Sequence, residues 1–288
     1  MRIGINIGIG RRSGGGGSFR SSHPLLLTRA TAAWAQDLSG NLYAFGANEQ
    51  RLTDAGLTIT GAATRLHGEA PTNGVDSGAT SSALPAEGLF NPLRSISGGA
   101  DWNRRLAPEF SVTNNTPVYV RLRVRDGTSG RLRLVLRNNT AATESHLKGA
   151  FSAPIVDLSD AGEISDVVNR LLPNGDRELT CTWTPNATVA TAEIGVGPDS
   201  ATSGQTIDII GFQATTEFSE WIMGGAGTVA QAADVGVLQL ATGTYNITVT
   251  FDDNSTQLFS GVSVTAPGWA VPTNLNRMVL KQIVAVAA

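Results

Sequence analysis

Between Val118 and Arg137 the sequence alternates with a period of two. Val118, Val120, Leu122 and Val124 interleave with Tyr119, Arg121, Arg123 and Arg125; Leu132, Leu134 and Leu136 interleave with Arg131, Arg133, Val135 and Arg137. That period sends alternate side chains to opposite faces of an extended strand. Asp126-Gly127-Thr128-Ser129-Gly130 carries the Asp and Gly of a tight turn, so the stretch reads as one long β-hairpin. Its aliphatic face requires a second sheet as cover, which predicts a two-layer β fold. Its other face carries the arginines 121, 123, 125, 131, 133 and 137. Like charges opposite one another on paired strands repel. These guanidinium groups therefore need acidic or polar partners: a neighbouring subunit, another protein, an anionic glycan, or acids of this chain such as Glu144 and Glu193.

The rest of the chain agrees with an all-β class. Among 288 residues there are 33 glycines, turn residues recur throughout, and long helical apolar patterns are absent. A net charge of −3 argues against a general nucleic-acid binder. Of the 21 basic residues only Lys148 and Lys281 are not arginine, and the planar arginine fork suits sheet faces and interfaces. The single cysteine, Cys181, excludes an internal disulfide and alternates with Leu179 and Trp183 as a core residue. No apolar run approaches the roughly 20 residues of a membrane-spanning helix, so no membrane insertion is expected. The first ten residues also lack the continuous apolar stretch of a signal peptide.

Five stretches follow in order. In residues 1–24, Ile3, Ile5, Ile7 and Ile9 alternate with small residues, and Arg11-Arg12 and a glycine run follow. A lone strand on a flexible tether suits strand addition to a partner, so these isoleucines and the two arginines are the candidate anchor. Residues 25–70 are short strands punctuated by turns, and residues 71–92 read as a polar linker. Residues 93–223 give eight or more strands, fitting a two-sheet jelly roll. Residues 234–288 predict a small C-terminal β module, with a hairpin turn at Asp252-Asp253-Asn254-Ser255.

The succession Thr28-Arg29-Ala30-Thr31, Asp37 through Gly40-Asn41-Leu42, Ala47-Asn48-Glu49-Gln50-Arg51 and Leu57 to Leu66 resembles a segment of tailed-phage and prophage structural proteins of the tail-fibre or head-spike type. Gly61-Ala62-Ala63-Thr64-Arg65-Leu66 departs from the closing phrase of that segment. The corner Trp183 to Thr188, the turn Gly197-Pro198-Asp199-Ser200, the strand Gln205 to Gly211 and the exit around Phe218 to Ile222 are similar to the carbohydrate-binding-type jelly roll of the same proteins. The resemblance implies a non-enzymatic virion protein assembled in the host cytoplasm. It would form a homo-oligomer, three copies being the expected number, in contact with other virion proteins and with host-surface glycan. A soluble glycan-binding module is the alternative, and a polysaccharide-degrading tail spike a third that lacks the expected internal repeat.

Catalytic signatures are absent from the sequence. His23, His67 and His146 have no metal-ligand spacing, and no nucleophile elbow or phosphate loop is present. No cofactor is expected. Calcium is conceivable at Asp252-Asp253-Asn254 and at Asp157 with Asp160, against plain turn formation. Sugar-binding jelly rolls stack exposed aromatics on pyranose faces. Trp102, in a glycine-rich loop, and Arg121, Arg123, Arg125, Arg131 and Arg133 are therefore the candidate glycan contacts.

Overall fold

The computed structural model describes residues 20–68, 71–100, 103–151, 157–159, 163–186, 188, 190–224 and 227–288. These form strands joined by turns, with no α-helix among them. The candidate anchor Ile3, Ile5, Ile7, Ile9, Arg11 and Arg12 lies outside the described residues, as do Trp102 and Asp160. The chain divides into two compact units, Thr64–Ala230 and a second that joins residues up to Ala63 with Gln231–Ala288.

Eight of the strands in the first unit form the centre of its two sheets: β1 (Leu93–Ser97), β2 (Arg104–Leu106), β3 (Val118–Asp126), β4 (Arg131–Asn138), β5 (Thr143–Ala150), β6 (Arg177–Trp183), β7 (Thr191–Pro198) and β8 (Thr206–Thr215). One sheet runs β6-β3-β8-β1 and the other β5-β4-β7-β2. First thus pairs with last, second with seventh, third with sixth and fourth with fifth. A long hairpin rolled onto itself gives this pairing, and it is the strand order of a jelly roll. The inner faces of both sheets share one core, in which Leu122, Val124, Leu134, Leu136 and Trp183 are fully buried.

The predicted β-hairpin at Val118 to Arg137 does not form. β3 pairs with β6 and β8, whereas β4 pairs with β5 and β7. The Asp126–Gly130 turn carries the chain from one sheet to the other. It is braced on β8: Ser129 N–H donates to the Thr206 carbonyl at 3.1 Å, and Thr206 N–H donates to Thr128 Oγ1 at 3.0 Å. Gly127 is required there, because a Cβ would lie 2.4 Å from the Thr206 carbonyl oxygen. The crossing has a physical reason. Strands in opposite sheets press their aliphatic faces together, while a hairpin would set arginine beside arginine.

Residues 71–92 are not a bare linker. Val75–Ser77 pairs with β2 and Ala79–Ala83 with β1, extending both sheets, and Phe90 is buried. Short side chains such as those of Ala79–Ala83 need little core when backbone pairing to a sheet edge holds them. A second correction concerns the C-terminal stretch. Residues 234–288 share one unit and one core with residues 25–63 rather than standing alone. In that unit a six-stranded sheet runs Thr256–Val264, Gly243–Phe251, Val279–Ala287, Gly56–Thr58 and Arg51–Thr53, with Arg20–Ser21 parallel to Val279–Ala287. A three-stranded sheet of Leu25–Thr28, Val235–Leu238 and Trp269–Val271 contributes Leu25, Leu27, Leu238 and Val271 to the same core. The hairpin turn at Asp252–Ser255 is present, with Asn254 at φ 68°.

Deep in this second unit Asp234 accepts from Arg29 Nη1 at 2.9 Å, from the Thr60 backbone N–H at 2.8 Å and from Arg51 Nη2, with all three charged side chains buried. Removing one member of such a group leaves an uncompensated buried charge. Asp234→Ala is expected to cost about 3–5 kcal/mol, read as a lowered denaturant midpoint of the full chain. Leu134→Ala should cost about 2–5 kcal/mol through the cavity it leaves. A fragment of residues 64–230 should melt cooperatively by circular dichroism. One of residues 93–223, stripped of two edge strands and Phe90, should not.

Candidate functional site: the arginine faces

The crossing between sheets divides the six arginines. Arg121, Arg123 and Arg125 stand on the outward side of β3, and Arg131, Arg133 and Arg137 on the outward side of β4, two surfaces separated by the core. They therefore form no single stripe.

The β3 set is covered. Arg121 and Arg123 are only 7% and 4% exposed. The chain leaving β8 folds back over them. Gln213 holds it in place, its Nε2 donating to the Glu220 carbonyl at 3.0 Å and its Oε1 accepting from Ile222 N–H at 2.9 Å. This brings the Trp221 ring to 5.4 Å from the Arg121 guanidinium, while Phe90 sits 5.2 Å from that of Arg123. The two rings meet edge-on at 5.2 Å. Stacking of this kind shields the guanidinium planes from water while the ring faces attract their charge. Gly211 makes room, since a Cβ there would come within 3.1 Å of the Phe90 ring.

Carboxylates from separate parts of the chain neutralise the set. Arg121 donates to Glu220 at 2.8 Å and to Glu178 at 3.1 Å. Asp176, whose side chain is fully buried, accepts from Arg123 Nε at 2.7 Å through one oxygen and from Arg125 Nε at 2.8 Å through the other. Glu87 receives both terminal nitrogens of Arg125 at 2.8 Å, a bidentate fork. Burial by itself disfavours the Arg121 charge, but Glu178 and Glu220 outweigh it and hold its pKa above the ordinary arginine value. The hydrogen bonds to Glu87 lead the same upward shift at Arg125.

The β4 set is more open. Arg131, 46% exposed along its side chain, pairs with Asp199 at 2.9 Å, and Arg137 lies 3.7 Å from Glu193. Arg133 is buried, 3.9 Å from Asp199. Beside them Glu144 binds Arg104 at 2.8 Å and His146 Nε2 at 3.2 Å. Burial and then the Arg133 charge lower the His146 pKa. Of the glycan candidates, Arg121, Arg123 and Arg133 thus serve the scaffold, whereas Arg125, paired with Asp176 and Glu87, and Arg131 keep 35% and 46% of their side chains exposed.

Several residues that organise this unit carry no structural role in the sequence reading: Glu87, Phe90, Asp176 and Glu220, and also Trp221, Arg65 and His67. Arg65 is buried and donates to the carbonyls of His67 at 2.9 Å, Ile222 at 2.7 Å and Gly224, fastening the segment that covers Arg121. His67 Nε2 accepts from Ala214 N–H at 3.0 Å, so Nδ1 carries the proton and donates to the Gly68 carbonyl at 2.6 Å. Burial pushes the His67 pKa down to about 4. A signal for the acids did exist: a covered face with three arginines needs carboxylates on the flanking strands, and Asp176 and Glu178 open β6.

A cavity of about 10 Å³ beside Trp221 has the volume of a single water. Among the described residues no three His, Cys, Asp or Glu side chains gather as metal ligands. At the proposed calcium turn Asp252 is held by Arg277 at 2.6 and 2.8 Å, and Asp253 lies 3.4 Å from the same guanidinium. The resident cation is therefore an arginine. Cys181 is buried and its thiol is pushed up to about 12, so it is unreactive. The chain matches no protein-family model, and no curated protein matches it.

Asp176→Asn should destabilise this unit by several kcal/mol, about the 3–5 kcal/mol of a broken buried pair. Arg131→Gln should shift the melt by less than about 1 kcal/mol, as exposed pairs do. His67 makes a pH prediction. Its folded pKa lies below the unfolded value, so the unfolded chain binds the extra proton between about pH 6.5 and 4. Stability is full above that window and falls as pH drops through it, by about 3 kcal/mol in total. In His67→Gln the slope of unfolding free energy against pH over this window should be reduced by one proton's worth.

Proposed function

We propose that this protein is a non-enzymatic structural component of a tailed-phage particle, with its jelly-roll unit serving as an attachment or assembly module. The observation that carries the reading is how the ionisable side chains are used. On β3 they are consumed in ion pairs with Glu220, Glu178, Asp176 and Glu87, and the cavity beside them at Trp221 amounts to about 10 Å³. A sandwich stiffened in this way presents its surface rather than an interior. The succession of turns in residues 25–66 and the corner and exit motifs of the sandwich support placing that surface on a fibre, spike or baseplate appendage. The open β4 side, with Arg131 and Arg137 at its surface, offers the contact area for host glycan or a neighbouring virion protein.

Quantitative mass spectrometry of particles purified through a density gradient tests the assignment. A fixed copy number per particle across independent preparations is expected. Absence from particles with abundant free protein in the lysate overturns it. Arg131→Gln combined with Arg137→Gln should reduce host adsorption if this side meets the host, and should leave particle incorporation intact.

A further inference from the structure

The edge of the six-stranded sheet is built to pair with itself. Thr256–Val264 is nine residues long and lies outermost in that sheet, hydrogen-bonded to Gly243–Phe251 on one side, with no strand pairing on the other among the described residues. Exposed sheet edges invite pairing with another chain, and proteins blunt them with charges, proline or short length. Thr256–Val264 contains no charged residue and no proline. Among the other edges of the three large sheets, all but Ala79–Ala83 are blunted by charge or short length. Ile164–Leu171 carries Asp166 and Arg170, and Val75–Ser77, Arg51–Thr53 and Asp157–Ser159 run three residues each. Ala79–Ala83 runs five.

We propose that Thr256–Val264 pairs antiparallel with the same strand of a second copy of this chain, joining two six-stranded sheets about a twofold axis. A strand meeting its own copy this way forms a self-complementary, closed contact. One register sets like burial against like in three of its four pairs, the central pair of half-buried Phe259 and exposed Ser260 being the exception. Thr256 opposes Ser263, exposed against exposed, and Gln257 opposes Val262, half-buried against half-buried. Leu258 then opposes Gly261. That match identifies the occupant. Leu258 is a leucine at 61% exposure with no cover of its own, and at Gly261 an added Cβ would meet nothing within 4 Å. Each copy thus brings an uncovered leucine and an open position to receive the other's. The irregularity at Ser260-Gly261, where Gly261 N–H donates to Asn246 Oδ1, lies beside the axis, which falls between Phe259 and Ser260. The pairing rests on this edge and does not depend on the virion assignment.

Sedimentation equilibrium of the full chain at about 100 μM, together with a cysteine probe, decides the matter. A mass of two chains is expected. Leu258→Lys with Ser263→Lys should return the mass to one chain with an unchanged melting curve, since both side chains are exposed. Ser260→Cys sits next to the axis and should give a disulfide-linked dimer under mild oxidation, because the native Cys181 is buried. A monomer at that concentration overturns the proposal. So does any oligomer that the lysine pair leaves intact or that Ser260→Cys fails to cross-link.

Discussion

On the outward side of β3 the guanidinium groups of Arg121 and Arg123 are held under a covering segment, and the face depends on Asp176, buried between Arg123 and the half-buried Arg125. Without that carboxylate two like charges would be forced together away from water. With it, β3 is packed on both sides, its aliphatic residues against the opposite sheet and its arginines beneath Phe90 and Trp221. The covering chain in turn depends on Arg65 and Gln213, which satisfy its backbone groups. The layers of this unit are therefore three deep at β3: sheet, sheet and segment.

The second unit reaches the same end by a different route. Asp234 gathers Arg29, Arg51 and the Thr60 amide where the two halves of the unit, far apart in sequence, come together. In both units arginine reaches a deep carboxylate and still spends its remaining donors on carbonyls: those of Thr31 and Gly46 for Arg29, that of Trp34 for Arg51 and that of Ser219 for Arg121. A lysine has neither the fork nor the number of fixed donors to do this. The near absence of lysine from the composition has here a structural use.

What this implies for function is a division between inside and outside. On β3 Arg121 and Arg123 are spent internally, whereas Arg131 and Arg137 stand partly exposed on β4. The second unit instead leaves its longest edge strand uncharged.

Much of the fold was legible in the sequence. Alternation fixes which residues of β3, β4 and β6 face inward, because period two leaves a strand only two sides. Trp183 and Cys181 are buried as their positions beside Leu179 require, and the Asp252–Ser255 turn falls where its residues demand. Pairing is another matter. Alternation says nothing about which strand lies alongside, so the strands flanking Asp126–Gly130 read equally well as a hairpin or as a crossing between sheets. Only the placement of β8, with Thr206 receiving the turn, decides for the crossing. The arginine partners were hidden for the same reason. Asp176, Glu87 and Glu220 lie 38 to 99 residues from the guanidinium groups they meet, and no local pattern encodes such a distance. The sequence by itself determined that these arginines need acids; the tertiary structure alone decided that the acids come from this chain, because rolling the strands into two sheets brings them onto the same face.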